Sequence, residues 1–279
     1  MDEDAESMNR VYKSGAGAIV TKSIGLKPRK GNLNPTVIEL EHGILNAMGL
    51  PNPGINNFKE EIIKLKNKKI PIIGSIFGSN EKEFKILSKK MQDYGANALE
   101  LNMSCPHAKG YGLEIGSDPN LVKKITREVK KTVNIPVFVK ISPNLTNIVE
   151  IAESAKKANA DAIVAINTVK AMKIDLELKI PVLANKYGGY SGKAIKPIGI
   201  RCVYEIKENI DIPIIGVGGI TTGEDAIEYM LAGASAVQIG SAIYYRELDV
   251  YKKICNEIKK WMKKNKYKNI SEIIGAAHK

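Results

Sequence analysis

Two phrases recur along this chain and restrict its fold more than any other feature. One is a run of small residues that turns apolar: Gly15-Ala16-Gly17-Ala18-Ile19-Val20, Gly95-Ala96-Asn97-Ala98-Leu99, Asn159-Ala160-Asp161-Ala162-Ile163-Val164 and Gly233-Ala234-Ser235-Ala236-Val237. The other is a proline that opens an apolar run: Ile70-Pro71-Ile72-Ile73, Ile135-Pro136-Val137-Phe138-Val139 and Ile212-Pro213-Ile214-Ile215. Runs this short and this uniformly apolar mark strands buried on both faces of a parallel sheet. Amphipathic stretches of helical length lie between them, at 81–94, 120–133, 148–158 and 224–232. Helix starts are signalled by Ser117-Asp118-Pro119, a cap followed by a first-turn proline, and by the acidic first turn of Thr222-Gly223-Glu224-Asp225.

Strand and helix alternating this many times predict a parallel α/β fold. A closed (β/α)8 barrel of the TIM type, one domain over 1–279, is preferred to an open sheet, because no Gly-x-Gly-x-x-Gly follows the first strand. Two long connections, at 23–57 and 169–192, follow strands and so belong to the C-terminal face, where barrel enzymes place their sites. The strand count reaches only about seven of the eight that closure needs. A helix-like stretch at 4–14 runs straight into the 15–20 strand, so the missing element is the first strand. The expectation is that the working protein starts roughly 20–30 residues upstream, enough for one strand and its turns; the rival reading is that another segment or a partner chain fills the slot.

The formal net charge is +12. The lysines are spread over helical segments and lack the interleaved aromatics of a base-stacking platform, so a solvated surface is expected and a nucleic-acid partner is not. No apolar run reaches membrane-spanning length and no signal peptide is visible. Three cysteines, odd in number and without metal spacing, fit a reducing cytoplasm and no metal site.

Polar residues gather at the expected strand tips: Thr21-Lys22-Ser23, Asn102, Lys140-Ile141-Ser142, Asn167-Thr168, Gly216-Val217-Gly218-Gly219 and Gly240-Ser241. A strand-interior lysine is costly to bury unpaired, so Lys22 and Lys140 are expected to meet an anionic ligand. The glycine turns follow the last two strands, the usual phosphate-binding corner of such a barrel. In Leu99-Glu100-Leu101-Asn102-Met103-Ser104-Cys105-Pro106-His107 the cysteine sits just past a strand, beside a proline and ahead of Gly110, Gly112 and Gly116, where function tends to be housed. A structural thiol in a turn is the competing reading.

Six segments carry a resemblance over nearly the whole chain. They are Thr21-Lys22-Ser23, Asn46-Ala47-Met48-Gly49-Leu50-Pro51-Asn52, Leu101-Asn102-Met103-Ser104-Cys105-Pro106, Val139-Lys140-Ile141-Ser142-Pro143-Asn144, Pro181-Val182-Leu183-Ala184-Asn185 and Tyr190-Ser191-Gly192-Lys193-Ala194-Ile195-Lys196-Pro197. In order and spacing they resemble the class 1 dihydroorotate dehydrogenases, most of all the NAD-linked subclass. The resemblance implies FMN as cofactor and oxidation of dihydroorotate to orotate in pyrimidine biosynthesis. Cys105 matches the family's base at carbon 5, and Lys140 matches the residue that stabilises charge on the reduced flavin. Lys22 matches a residue shared by flavin and substrate. Asn46, Met48, Gly49, Leu50, Asn102, Asn167 and Thr168 match substrate contacts. Ser23, Ser75, Ile166, Gly192, Gly218, Gly219, Gly240 and Ser241 match flavin contacts, joined by Asn102 and Lys140. A homodimer core and a separate iron–sulfur flavoprotein subunit that passes electrons to NAD are implied as partners, since this chain has no cysteine cluster of its own.

Two positions depart from that pattern. His107 stands where these dehydrogenases usually carry an asparagine that touches substrate; histidine there instead resembles the pyrimidine-reducing domain of dihydropyrimidine dehydrogenase. Ser75 stands where the subclass tends to have asparagine. The alternatives are therefore a uracil or thymine reductase, an RNA-acting dihydrouridine synthase, and an anion-binding barrel without turnover. The 181–197 segment argues against the second, and the third would gain nothing from Cys105.

Overall fold

The computed structural model describes residues 3–104 and 113–278. In chain order the elements begin with α1 (Ala5–Lys13), β1 (Ile19–Val20), the hairpin β2 (Val37–Leu40) and β3 (Gly43–Asn46), α2 (Lys59–Asn67), β4 (Ile72–Ile76), α3 (Glu81–Tyr94) and β5 (Ala98–Asn102). Then follow α4 (Leu113–Gly116), α5 (Pro119–Thr132), β6 (Val137–Ile141), α6 (Ile148–Lys156) and β7 (Ala162–Ala165). Four short strands come next: β8 (Val169–Ala171), β9 (Ile174–Asp175), β10 (Ile180–Pro181) and β11 (Gly188–Ser191). The chain closes with α7 (Lys196–Asn209), β12 (Ile214–Val217), α8 (Gly223–Leu231), β13 (Ala236–Gln238), α9 (Ala242–Arg246) and α10 (Val250–Lys264).

Several helices start where a side chain can satisfy their free amides. Asn80 accepts hydrogen bonds from the Lys82 and Glu83 amides, and Asp118 from those of Asn120 and Leu121 with Pro119 in the first turn. Thr222 and Asp225 cap α8 reciprocally. Asp4 caps α1, which is why that helix begins one residue later than the 4–14 stretch.

Among the described residues the parallel sheet has seven strands in the order β1-β4-β5-β6-β7-β12-β13, in agreement with the strand count from sequence. Its end strands β1 and β13 are not paired with each other. Every residue of β5 and β7 is buried, as expected of strands covered on both faces. One large apolar cluster joins these strands to the inner faces of the surrounding helices.

The two long connections were expected only to lie over the C-terminal face. The structure shows that they also pair with each other. The β2–β3 hairpin of the first and β11 and β8 of the second form one antiparallel sheet in the order β2-β3-β11-β8. Gly189 stands opposite Asn46 on one side and Lys170 on the other. Leu45, Ala47 and Leu183 give this sheet a small core of its own.

Candidate functional site

A cavity of about 820 Å³ opens at the C-terminal tips of the parallel strands. That volume is within the ~300–1,000 Å³ of small-molecule and cofactor sites. Its walls bring together Lys22, Ser23, Ser75, Asn102, Lys140, Asn167, Thr168 and Gly240 from the barrel with Asn46 at the end of β3 and Met48, Gly49 and Leu50 just after it. All twelve were expected from sequence to belong to one site. The cavity also runs down the seam between β1 and β13, past Ala18, Val20, Ala236 and Gln238.

At the middle of the sheet the polar side chains bond to one another. Ser23 and Ser75 share a hydroxyl–hydroxyl hydrogen bond of 2.8 Å, and Asn102 Nδ2 donates to Ser23 Oγ at 2.9 Å. Asn102 Oδ1 accepts from the Ser104 hydroxyl at 3.0 Å, and Asn167 Nδ2 donates to that same hydroxyl at 2.8 Å. One lattice thus links β4, β5, the segment after β7 and Ser104. Short side chains joined this way lose little further freedom when they meet a ligand. Asn46 belongs to the insertion and donates instead to the Gly189 carbonyl at 3.3 Å.

The sequence expectation is that Lys22 and Lys140 meet an anionic ligand. Each has a carboxylate partner in this chain. Lys140 Nζ lies 3.3 Å from Glu100, a residue only 2 % exposed, and Lys22 Nζ lies 3.2 Å from Glu3. Sequence reasoning missed Glu100. The available signal was a carboxylate inside an otherwise apolar strand, which needs a partner to be tolerated there. It also missed Gln238 of β13, whose Nε2 donates to Glu100 Oε2 at 2.8 Å.

Five expected residues do not line the cavity: Ile166, Gly192, Gly218, Gly219 and Ser241. Gly218 and Ser241 directly follow the lining residues Val217 and Gly240. Gly192 and Gly219 pack so closely that a Cβ on Gly219 would sit 2.8 Å from the Gly192 carbonyl oxygen, and Gly219 has φ +71°. Ile166 packs near Gly218. This corner presents backbone and is braced from below. The Tyr229 hydroxyl donates to the Gly218 carbonyl at 2.7 Å. Its ring is fully buried, and a Cβ on Gly199 would lie 1.8 Å from its hydroxyl. Asp225 accepts from the Thr221 hydroxyl and the Thr221 and Thr222 amides, each at 2.9 Å, and from Lys196 Nζ at 2.8 Å. Burial pushes the Asp225 carboxyl up, but these donors outweigh it and hold it down at about 2.

Cys105, His107, Gly110 and Gly112 lie outside the described residues. Ser104, which directly precedes Cys105, is buried and anchored by the lattice. Burial pushes the Cys202 thiol up to about 11, so that cysteine stays protonated and belongs to the core. Among the described residues no group of His, Cys, Asp or Glu could hold a metal ion, and no helix is long and apolar enough to cross a membrane.

The sequence model of the family described as dihydroorotate dehydrogenase matches residues 1–262. A Methanocaldococcus jannaschii protein is 54% identical over 282 residues, covering 100% of this chain and 92% of the relative. Proteins of Thermoplasma acidophilum (52% identical, 99% of this chain and 92% of the relative) and Pyrococcus furiosus (51%, 100% and 92%) are similarly close. All three relatives carry the name dihydroorotate dehydrogenase B (NAD(+)), catalytic subunit.

Proposed function

The chain belongs to the dihydroorotate dehydrogenase family, and from that premise we propose that it oxidises dihydroorotate to orotate in pyrimidine biosynthesis, with FMN as its cofactor. The observation that carries this reading is a cavity in which a lattice of amides and hydroxyls meets a lysine–carboxylate pair beside a glycine corner. Amide side chains offer both donors and acceptors to a ring that bears both N–H and C=O groups. The residues present fit FMN. Gly240 would admit its phosphate close to the backbone, since a Cβ there would meet nothing within 4 Å, and Gly218 and Gly219 are assigned to the same corner. Ser23, Ser75, Asn102 and Lys140 would hold the ring system, with Ile166, Gly192 and Ser241 as further flavin contacts. When bound, FMN supplies the acceptor for the hydride that leaves carbon 6.

The chain's own residues do the rest. Asn102 and Asn167 with Thr168, and Asn46 with Met48, Gly49 and Leu50, fix the dihydroorotate ring between barrel and antiparallel sheet. Lys22 serves both ligands. Cys105 takes the proton from carbon 5 and needs a thiolate to do so. The hydrogen bonds on Ser104 anchor the backbone immediately before it. Lys140 supplies positive charge where negative charge develops.

The name catalytic subunit borne by the relatives implies a partner chain. We place it as an iron–sulfur flavoprotein that carries electrons on to NAD in the cytoplasm. A homodimer core of single-domain chains is supported by an apolar band on the β8–β10 segment. There Met172, Ile174, Leu176, Leu178 and Ile180 are 48%, 49%, 81%, 68% and 51% exposed.

The test is an anaerobic spectrum of the purified, FMN-loaded protein. Dihydroorotate is expected to bleach the flavin absorbance, while dihydrouracil and dihydrothymine leave it unchanged. Bleaching by the latter pair alone, or no uptake of FMN, sinks the proposal.

A further inference from the structure

Glu100 lies in the middle of β5, on the same side of the strand as Asn102, and both reach the cavity wall. Its two carboxylate oxygens have separate partners. Oε1 faces Lys140 Nζ at 3.3 Å from the neighbouring strand β6, and Oε2 accepts from Gln238 Nε2 at 2.8 Å. Three strands, β6, β7 and β12, separate β5 from β13 in the sheet, so the Gln238 side chain reaches Glu100 across the barrel interior. Register explains the other contact. Lys140 stands opposite Asn102, one side-chain step beyond Glu100 on the same face, and its long chain leans back to the carboxylate. The amine is 18% exposed and the carboxylate 2%, so the pair forms part of the cavity floor with the ammonium toward the opening. Neither Glu100 nor Gln238 is needed to close a strand or cap a helix.

We propose that Glu100 is a positioning residue that aims Lys140 and offsets its charge, with Gln238 locking the carboxylate from the far wall. This inference rests on the flavin reading above. A bare ammonium beside a flavin would favour the negatively charged reduced form. An ammonium paired with a buried carboxylate favours it less, because at an effective dielectric of about 20 two charges in contact offset each other strongly. The pair therefore sets how readily the bound flavin gives its electrons up again. That property matters for a subunit whose electrons must leave for a partner.

The test is the two-electron reduction potential of the FMN-loaded full chain in wild type, Glu100→Gln and Gln238→Leu. Glu100→Gln keeps the shape and removes the charge. It is expected to favour the reduced flavin by about tenfold, which for a two-electron couple is about 30 mV upward. Gln238→Leu leaves the carboxylate charged but unlocked, and an upward shift of about threefold in the same equilibrium is expected. A merely structural role would lower thermal stability without moving the potential in a fixed direction. Should Glu100→Gln fail to fold, the Gln238→Leu value decides. An unchanged or lowered potential in the variants, with a wild type that dihydroorotate still reduces, overturns the inference and leaves the flavin reading intact. A wild type that takes up no FMN overturns both.

Discussion

The two halves of the site are built by opposite means. The half at the middle strands is built of side chains: Ser23, Ser75, Asn102, Ser104 and Asn167 are hydrogen-bonded into one lattice. The corner after β12 and β13 is built of glycines. There the side chains, Tyr229, Lys196 and Asp225, sit behind the glycines and brace them. The difference teaches where chemistry and where affinity reside. A planar ring with an edge pattern needs directional donors and acceptors, whereas a phosphate needs close approach and N–H groups, which side chains would obstruct.

The sharpest way to break this comparison is to separate turnover from cofactor binding. Cys105→Ala is expected to lower kcat by about 10²–10⁴-fold while FMN stays bound, measured by steady-state turnover and the flavin spectrum of the same preparation. Gly219→Ala should do the reverse. Its Cβ would meet the Gly192 carbonyl oxygen at 2.8 Å from a backbone at φ +71°. FMN affinity is expected to fall by about tenfold or more, read by fluorescence titration, which is over 1 kcal/mol. If the corner variant binds FMN normally, the glycines are not where the phosphate sits.

The bracing layer is probed by pH. Asp225 ionises at about 2 in the folded chain against an ordinary 3.8. A lowered folded pKa gives stability that is full above the unfolded value and is lost as pH falls from 3.8 through about 2. Asp225→Asn is expected to be about 2 kcal/mol less stable than wild type at neutral pH. That gap should narrow as the pH falls through this window, as measured by urea denaturation. A gap independent of pH would show that the lost hydrogen bonds, and not the charge, do the bracing. The smallest effect belongs to Tyr229→Phe, which removes one hydrogen bond to the Gly218 carbonyl. About 1 kcal/mol of stability and a few-fold loss of FMN affinity are expected, with kcat at saturating FMN unchanged.

Much of this was legible in the chain itself. Uniform apolar runs such as 162–165 and amphipathic stretches such as 81–94 declare their periods locally, and caps such as Asp118 act within three residues. Strand tips could be aligned because every repeat of a parallel barrel delivers its C-terminal end to the same face. The gathering of Asn102, Lys140 and Asn167 around one cavity therefore followed from sequence, and so did the absence of an eighth parallel strand from the described residues. Partnerships did not. Glu100 and Gln238 are 138 residues apart and meet only because the sheet curls until opposite walls face each other. The 23–57 and 169–192 connections gave no sign that they would share a sheet, since antiparallel pairing between segments over 100 residues apart leaves no local period to read. Local chemistry determined the elements and their order; which buried charge meets which partner was decided by three-dimensional closure, because that depends on the register and curvature of the whole sheet.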